Sequence, residues 1–390
     1  MATKKNYKVN GKEYYRVSAS FGRDSNGKLI RKYFYGKTKK EAEKKLEEYK
    51  YSIREGYTNN NIVYLSSSMK TWLFEFIRCN IKPSCFDRYE CTFRNHIENC
   101  PFSNKSIKEI SSIEIQRYYN DLYKKGKTSA TLKRINKLLK RFFNYCISEG
   151  IIIRNPCASV IIPCEKQSTK TEVEIFSKED LKKIINYNVT DSRVFSIKYI
   201  ALVALATGMR QGEILGLKWS DINFKDMEIS ISRTVTCYSK IMGNERKIVK
   251  EIQSPKTKNS IRKIPLPSSL IPIFDKVKKE QLKNRIKLGD YYNKDNVDFV
   301  FLTKEGNIMY KSCVNRAWNA YLKKCGVAHK KFHALRHTYA TLQFENNIPL
   351  KTISNLLGHS SINITADIYT HVMKQEKQKA TDIISVLNMC

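Results

Sequence analysis

The helical period is written most plainly between Thr128 and Gly150. In "TSATLKRINKLLKRFFNYCISEG", Ile135, Leu138, Leu139, Phe142, Phe143, Cys146 and Ile147 recur at the three- and four-residue spacing of a buried stripe. Lys133, Arg134, Lys137, Lys140 and Arg141 fall mainly on the rest of that surface. The whole stretch from about 64 to 165 reads as helical. Ahead of it the period shortens. "YYRVSASFG" and "LIRKYFYG" are rich in aromatic and β-favouring residues, with the turn-forming "RDSNGK" between them, which predicts a small sheet. "TKKEAEKKLEEYKYSI" follows as a charged helix, opened by Thr38 and Glu41 at capping-box spacing. The polar "TNNNIVY" then reads as a linker.

A second linker, "NPCASVIIPCEKQSTKTEVEIF", carries two prolines and a polar run. Beyond it Ser177 and Asp180 cap a helix, and mixed helices and strands continue to the C-terminus. "MEISISRTVT" and "RKIPL" alternate as strands, with a turn-rich stretch expected between them.

One helix of this last segment concentrates polar chemistry. In "FHALRHTYATLQ", His333, Arg336 and His337 share one face, while Leu335, Tyr339 and Leu342 cluster on the opposite one. Tyr339 therefore packs in the core; the polar face is functional or solvated, and the helix alone does not decide. His333 and His337 have zinc-pair spacing, but Ala334 replaces the glutamate of that motif and no carboxylate cluster completes a metal site. "LKTISNLLGHSS" predicts a short apolar helix closed by Gly358, which leaves His359 at a fixed, exposed exit. Tyr369 follows, beside Ile368 and near His371. In "ALATGMRQGEILGLKWSDI", Arg210 and Glu213 stand three apart. Arg210 is either a surface residue paired with Glu213 or a guanidinium that Glu213 aims at a phosphate.

Charge narrows the classes. Lys plus Arg number 71 against 37 Asp plus Glu, a formal net charge of +34. Nucleic acid is the partner that best offsets such self-repulsion. An anionic membrane is a poorer fit, since no basic amphipathic terminal segment appears. Residues 1–60 alone hold sixteen Lys/Arg and seven Asp/Glu, so the small sheet is expected to read a DNA groove. No apolar run approaches a membrane span and the start lacks a signal-peptide core, which places the chain in the cytoplasm. The eleven cysteines form no C-x-x-C pair, and Cys79, Cys85 and Cys91 match no common zinc spacing. Reduced, mostly buried thiols are expected.

Taken together, "ATGMRQGEILGLKWSDI", "SPKTKNSIRKIPL", "HALRHTYAT", "LLGHSS" and "YTH" stand in the order found in the tyrosine recombinases, the family of phage lambda integrase and the conjugative-transposon integrases. The resemblance implies a multidomain fold: a small N-terminal three-stranded sheet plus helix (1–60, arm-type DNA binding), an all-helical core-binding domain (64–165), and a mixed, mainly α catalytic domain with a small antiparallel sheet (170–390). It makes Arg210 and Arg336 phosphate-clamping arginines, His333 the first histidine of the H-x-x-R motif, His359 the second His/Trp position and Tyr369 the nucleophile. Lys256 matches the hairpin lysine, with Lys258 and Lys263 as alternatives, and Glu213 supports the first arginine.

The implied activity is cutting and rejoining of DNA through a 3′-phosphotyrosyl intermediate and a Holliday junction, to integrate and excise a mobile element. Neither metal, ATP nor another cofactor is expected. The implied partners are double-stranded DNA at core and arm sites, further copies of the chain in a synaptic tetramer, and an excisionase-like accessory protein, in a nucleoid-associated bacterial setting. Ile383, Ile384 and Leu387 give the C-terminal tail an apolar stripe, for docking on a neighbouring protomer or on its own domain. A type IB topoisomerase shares this chemistry, and a DNA-binding protein with a dead site is the remaining alternative.

Overall fold

In the N-terminal sheet, β1 (Tyr7–Val9), β2 (Lys12–Arg23) and β3 (Leu29–Gly36) pair antiparallel in the order β1-β2-β3. Directly opposed residues share a face, so the register Val17↔Phe34 and Ala19↔Lys32 defines one side and Arg16↔Tyr35 and Ser18↔Tyr33 the other. The first side meets α1 (Lys39–Arg54): the Phe34 and Tyr49 rings lie 5.1 Å apart, and Ala42 and Leu46 are buried. The second keeps Tyr33 and Tyr35 exposed, with the Arg16 guanidinium over the rings of Tyr7 at 4.7 Å and Tyr33 at 5.0 Å. The Thr38 hydroxyl accepts from the Glu41 amide, as the capping spacing predicts, while the Glu41 carboxylate reaches back to the amide of Lys37.

The computed structural model describes residues 7–9, 12–23, 29–54, 63–164, 173–188, 192–242, 245–253, 261–359 and 361–368, and the chain divides into two compact units, residues 1–168 and 169–390. Besides the sheet, the first unit contains α2 (Leu65–Thr71), which runs into a π-helical turn, then α3 (Pro83–His96), α4 (Ser112–Lys124) and α5 (Ser129–Ser148). Ser111 and Glu114 form a full capping box ahead of α4. On α5, Leu132, Ile135, Leu138, Leu139, Phe142, Phe143 and Cys146 are buried, and Trp72 packs edge-on against Phe142. Ile147 departs from expectation at 36% exposed: the apolar spacing runs one residue past the packed face. The five basic residues of α5 are all exposed.

The second unit is built on α7 (Ser192–Thr207), whose Ile197, Ile200, Ala201, Val203 and Ala204 are buried in contact with α10 (Lys311–Lys324) and α11 (Ala334–Glu345). Around them stand α6 (Lys178–Asn186), α8 (Gln211–Leu215), α9 (Ile271–Leu288), α12 (Leu350–Leu357) and α13 (Ile362–Ile368). A three-stranded antiparallel sheet runs in the order β4 (Ile222–Asn223), β5 (Glu228–Ile231), β8 (Arg262–Pro265).

Two further expectations need correction. "MEISISRTVT" is not one strand: it breaks after Ile231, and β6 (Thr234–Met242) pairs with β7 (Glu245–Gln253) in a separate hairpin, where a turn-rich connection was expected. Most side chains of that hairpin are half or fully exposed on both faces, so it lacks the one-sided apolar alternation that betrays a strand. Nor are the thiols mostly buried. Of the ten described, only Cys100, Cys146 and Cys157 are, whereas Cys79, Cys164 and Cys237 are exposed.

Candidate active site

The site grows from the end of α12. Gly358 takes the left-handed conformation (φ 65°, ψ 47°) that glycine adopts without a Cβ penalty. The amide of Gly358 bonds the carbonyl of Asn355, and that of His359 the carbonyl of Ser354, which together make a Schellman ending. Such an ending leaves the last carbonyls of the helix without backbone partners. Here each is taken by an arginine from a different element. Leu356 O accepts from Arg262 Nε at 2.7 Å, Leu357 O from Arg336 Nη2 at 2.7 Å, and Gly358 O from Arg210 Nη2 at 2.9 Å. The negative end of the helix dipole thus faces three cations, an arrangement that offsets their mutual repulsion.

Arg336 lies on α11 and is 2% exposed. Its Nη1 donates to Gly208 O at 2.8 Å. Gly208 has φ +64°, and a Cβ there would stand 2.5 Å from the Tyr339 ring, so the residue is glycine for conformation and for space. Tyr339, 9% exposed, packs with Ala340, Ile353 and Leu357, and burial raises its phenol pKa. It wedges α11 against α12 and the Gly208 turn, as its face of the helix predicts. The polar face is not a solvated surface at Arg336.

Arg210 caps α8. Its Nη1 meets Glu213 Oε1 at 2.9 Å, and its amide meets Glu213 Oε2 at 3.0 Å. Glu213 also receives Arg262, Nη1 at 3.2 Å and Nη2 at 3.0 Å, in a two-pronged fork. Burial would raise the Glu213 carboxyl, but the bonds to Arg262 and Arg210 outweigh it and hold the group below its usual 4.5. Sequence reasoning missed Arg262. A signal existed: on β8 it shares strand parity with buried Ile264, so a basic residue occupies an apolar position.

The histidines complete the site. His333 precedes α11, and its ring stands edge-on to His337 with centroids 4.8 Å apart. The residue keeps a solvent edge, yet burial of the rest of its ring, then the charges of His337, Arg336 and Arg210, push its pKa down to about 4. His359 is half-buried rather than exposed as expected, because Nδ1 pairs with the hydroxyl of fully buried Thr365 at 2.7 Å. Burial, then Arg336, Arg210 and His333, bring it to about 3. His337 Nδ1 is buried without a hydrogen-bond partner among the described residues. Both His333 and His359 are therefore neutral at neutral pH.

The structure thus gathers Arg210, His333, Arg336 and His359 of the expected set. Lys256, its alternative Lys258 and Tyr369 lie outside the described residues; α13, tied to the site through Thr365, ends at Ile368. Lys263 does not join the group. It points to the other side of β8, pairs with Glu228 at 2.9 Å, and is held above its usual pKa by that bond, the wrong direction for a proton donor. Among the described residues, no three His, Cys, Asp or Glu side chains are placed to hold a metal, and no helix is long and apolar enough to cross a membrane.

Residues 174–376 match the phage integrase family model, and residues 64–123 match the SAM-like N-terminal domain of phage integrases. A XerC-like tyrosine recombinase of Caldanaerobacter subterraneus subsp. tengcongensis is 47% identical, covering 99% of this chain and 100% of its own. The ICEBs1 integrase of Bacillus subtilis is 26% identical over 94% of this chain and 96% of its own. Among solved structures, the Tn1549 transposon integrase in complex with a circular intermediate DNA has a TM-score of 0.66 at 20% identity, covering 81% of this chain and 99% of that one. A lambda integrase tetramer bound to a Holliday junction has 0.57 at 18%, covering 90% and 91%. The chain accordingly belongs to the phage integrase family, and it is a site-specific tyrosine recombinase, an enzyme that breaks and rejoins DNA strands.

Proposed function

We propose that this recombinase integrates and excises a mobile DNA element, using Tyr369 as nucleophile and the gathered arginines and histidines as its phosphate site. The observation that carries the reading is the convergence of Arg210 and Arg336 on adjacent carbonyls, with neutral His333 and His359 beside them. The Tyr369 oxygen attacks the scissile phosphorus and passes its proton to neutral His333. A P–O bond to the tyrosine forms as the bond to the 5′ oxygen breaks, and that oxygen takes a proton from Lys256. The guanidiniums of Arg210 and Arg336 stabilise the charge on the non-bridging oxygens in the five-coordinate state. In this reading the Thr365 hydroxyl donates to Nδ1, so that His359 carries its proton on Nε2 and gives a further bond to the phosphate. The 3′-phosphotyrosyl bond conserves the linkage, so a second 5′ hydroxyl reverses the step without ATP or metal.

The mobile-element assignment draws support from the similarity to the ICEBs1 and Tn1549 integrases. In this reading residues 1–60 bind arm sites through the exposed Arg16, Tyr33 and Tyr35 face, residues 64–165 bind the core site, and residues 170–390 carry catalysis. Four copies assemble on the DNA, an excisionase-like protein sets direction, and the enzyme works on the bacterial nucleoid. The deciding experiment traps protein on a nicked suicide duplex. Tyr369→Phe, with Tyr339 intact, is expected to bind DNA and form no covalent adduct; an adduct with that variant removes Tyr369 from the role. Recombination between two attachment sites, against mere relaxation of supercoils, separates a recombinase of this kind from a topoisomerase.

A further inference from the structure

Glu213 already has a cationic partner in Arg210, so electroneutrality does not call for a second. A second arginine is nevertheless buried against it: the Arg262 and Glu213 side chains are 7% and 4% exposed. The geometry divides the labour. The Arg262 fork takes one N–H to each Glu213 oxygen, which fixes the plane of the carboxylate as a single contact does not. Arg210 Nη1 then donates to Oε1 of that fixed carboxylate, and Glu213 Oε2 receives the Arg210 amide. Arg262 Nε is in turn tied to Leu356 O, two residues before the carbonyl that holds Arg210 Nη2. The two anchors of the Arg210 guanidinium, Glu213 and the end of α12, are thus joined to one another by Arg262.

We propose that Arg262 is a positioning residue for DNA cleavage: through Glu213 and the end of α12 it orients the Arg210 guanidinium on the scissile phosphate, without touching the DNA itself. The proposal rests on the reading of Arg210 as a phosphate clamp. Arg262 also opens β8, six residues after Lys256 in the sequence. A lysine in its place keeps the charge but cannot hold both carboxylate oxygens and Leu356 O in one plane.

The test compares two suicide duplexes, one with an ordinary scissile phosphodiester and one with a methylphosphonate, whose non-bridging methyl removes the charge that a clamp would neutralise. Single-turnover formation of the Tyr369 adduct is measured on both for the full-length wild type, Arg210→Ala, Arg262→Lys and Arg262→Gln, alongside DNA affinity and melting. Arg210→Ala is expected to lose roughly 100-fold on the diester, as loss of a charge-stabilising donor does, and far less on the methylphosphonate. Arg262→Lys and Arg262→Gln are expected to show the same selective loss, about 10-fold or more, with DNA affinity unchanged. The ratio between substrates cancels any difference in the folded fraction. Equal losses on both substrates, no loss on either, or failure of both Arg262 variants to fold would each mark Arg262 as a brace and overturn the proposal while leaving the clamp reading intact. If Arg210→Ala itself shows no charge selectivity, the clamp reading fails, and the Arg262 proposal with it.

Discussion

Arg262 and Lys263 are neighbours on β8 and each meets a glutamate, yet the two ion pairs are different objects. Strand alternation turns Arg262 inward, where its contact with Glu213 leaves 7% and 4% of the side chains exposed, and Lys263 outward, where its contact with Glu228 leaves 68% and 40%. Water screens the outer pair and both of its side chains keep their freedom, so its formation changes little. The inner pair has lost that solvation, and the buried Arg262 charge depends on the carboxylate that meets it. Distance does not separate them, at 3.0 and 2.9 Å. Burial does, and it ties one pair into the cluster that holds Arg210 and the end of α12.

The contrast can be broken most directly from the glutamate side. Glu213→Ala leaves Arg262 buried without its carboxylate and is expected to destabilise the catalytic unit by about 3–5 kcal/mol in denaturant unfolding. A loss no larger than that of Glu228→Ala would erase the distinction. Acid sharpens it next. The unfolded chain protonates its histidines near 6.5, while folded His333 and His359 wait until about 4 and about 3, so stability falls as pH drops from 6.5 toward 3. Glu213, held below 4.5, adds a second loss only beneath that value. Melting followed from pH 7.5 to 4 is expected to decline by several degrees through the first window, less so in His333→Asn; a flat profile contradicts the neutral-histidine picture. The smallest effect belongs to the outer pair. Lys263→Ala should leave both the melting temperature and adduct formation unchanged, and a cleavage defect cured by a 5′-thio leaving group would make Lys263, not Lys256, the proton donor.

The two pairs also show how far the sequence could be read. Motif order brings Arg210, His333, Arg336 and His359 together, as the structure does, and helical spacing separates Tyr339 from His333 and Arg336, because a buried stripe imposes a strict period. Arg262 is hidden among the basic residues of its stretch, with Lys256, Lys258 and Lys263 around it. Its parity with Ile264 was the usable clue. The β6–β7 hairpin left no comparable trace, since two solvated faces impose no pattern. The exposure assigned to His359 failed for another reason: Thr365, six residues on, folds back over it, and nothing in the spacing announces that bond.

The way α12 ends has a consequence for how such a chain can vary. Ile353 and Leu357, both fully buried, fix the rotation of the helix, and the next turn of backbone presents Leu356, Leu357 and Gly358 to three separate arginines. One residue inserted between Ile353 and Gly358 would rotate the apolar side by about 100° relative to those carbonyls. Every side chain would survive such a change, and the alignment of all three guanidiniums would be lost. Between Ile353 and Gly358 this segment behaves as a ruler.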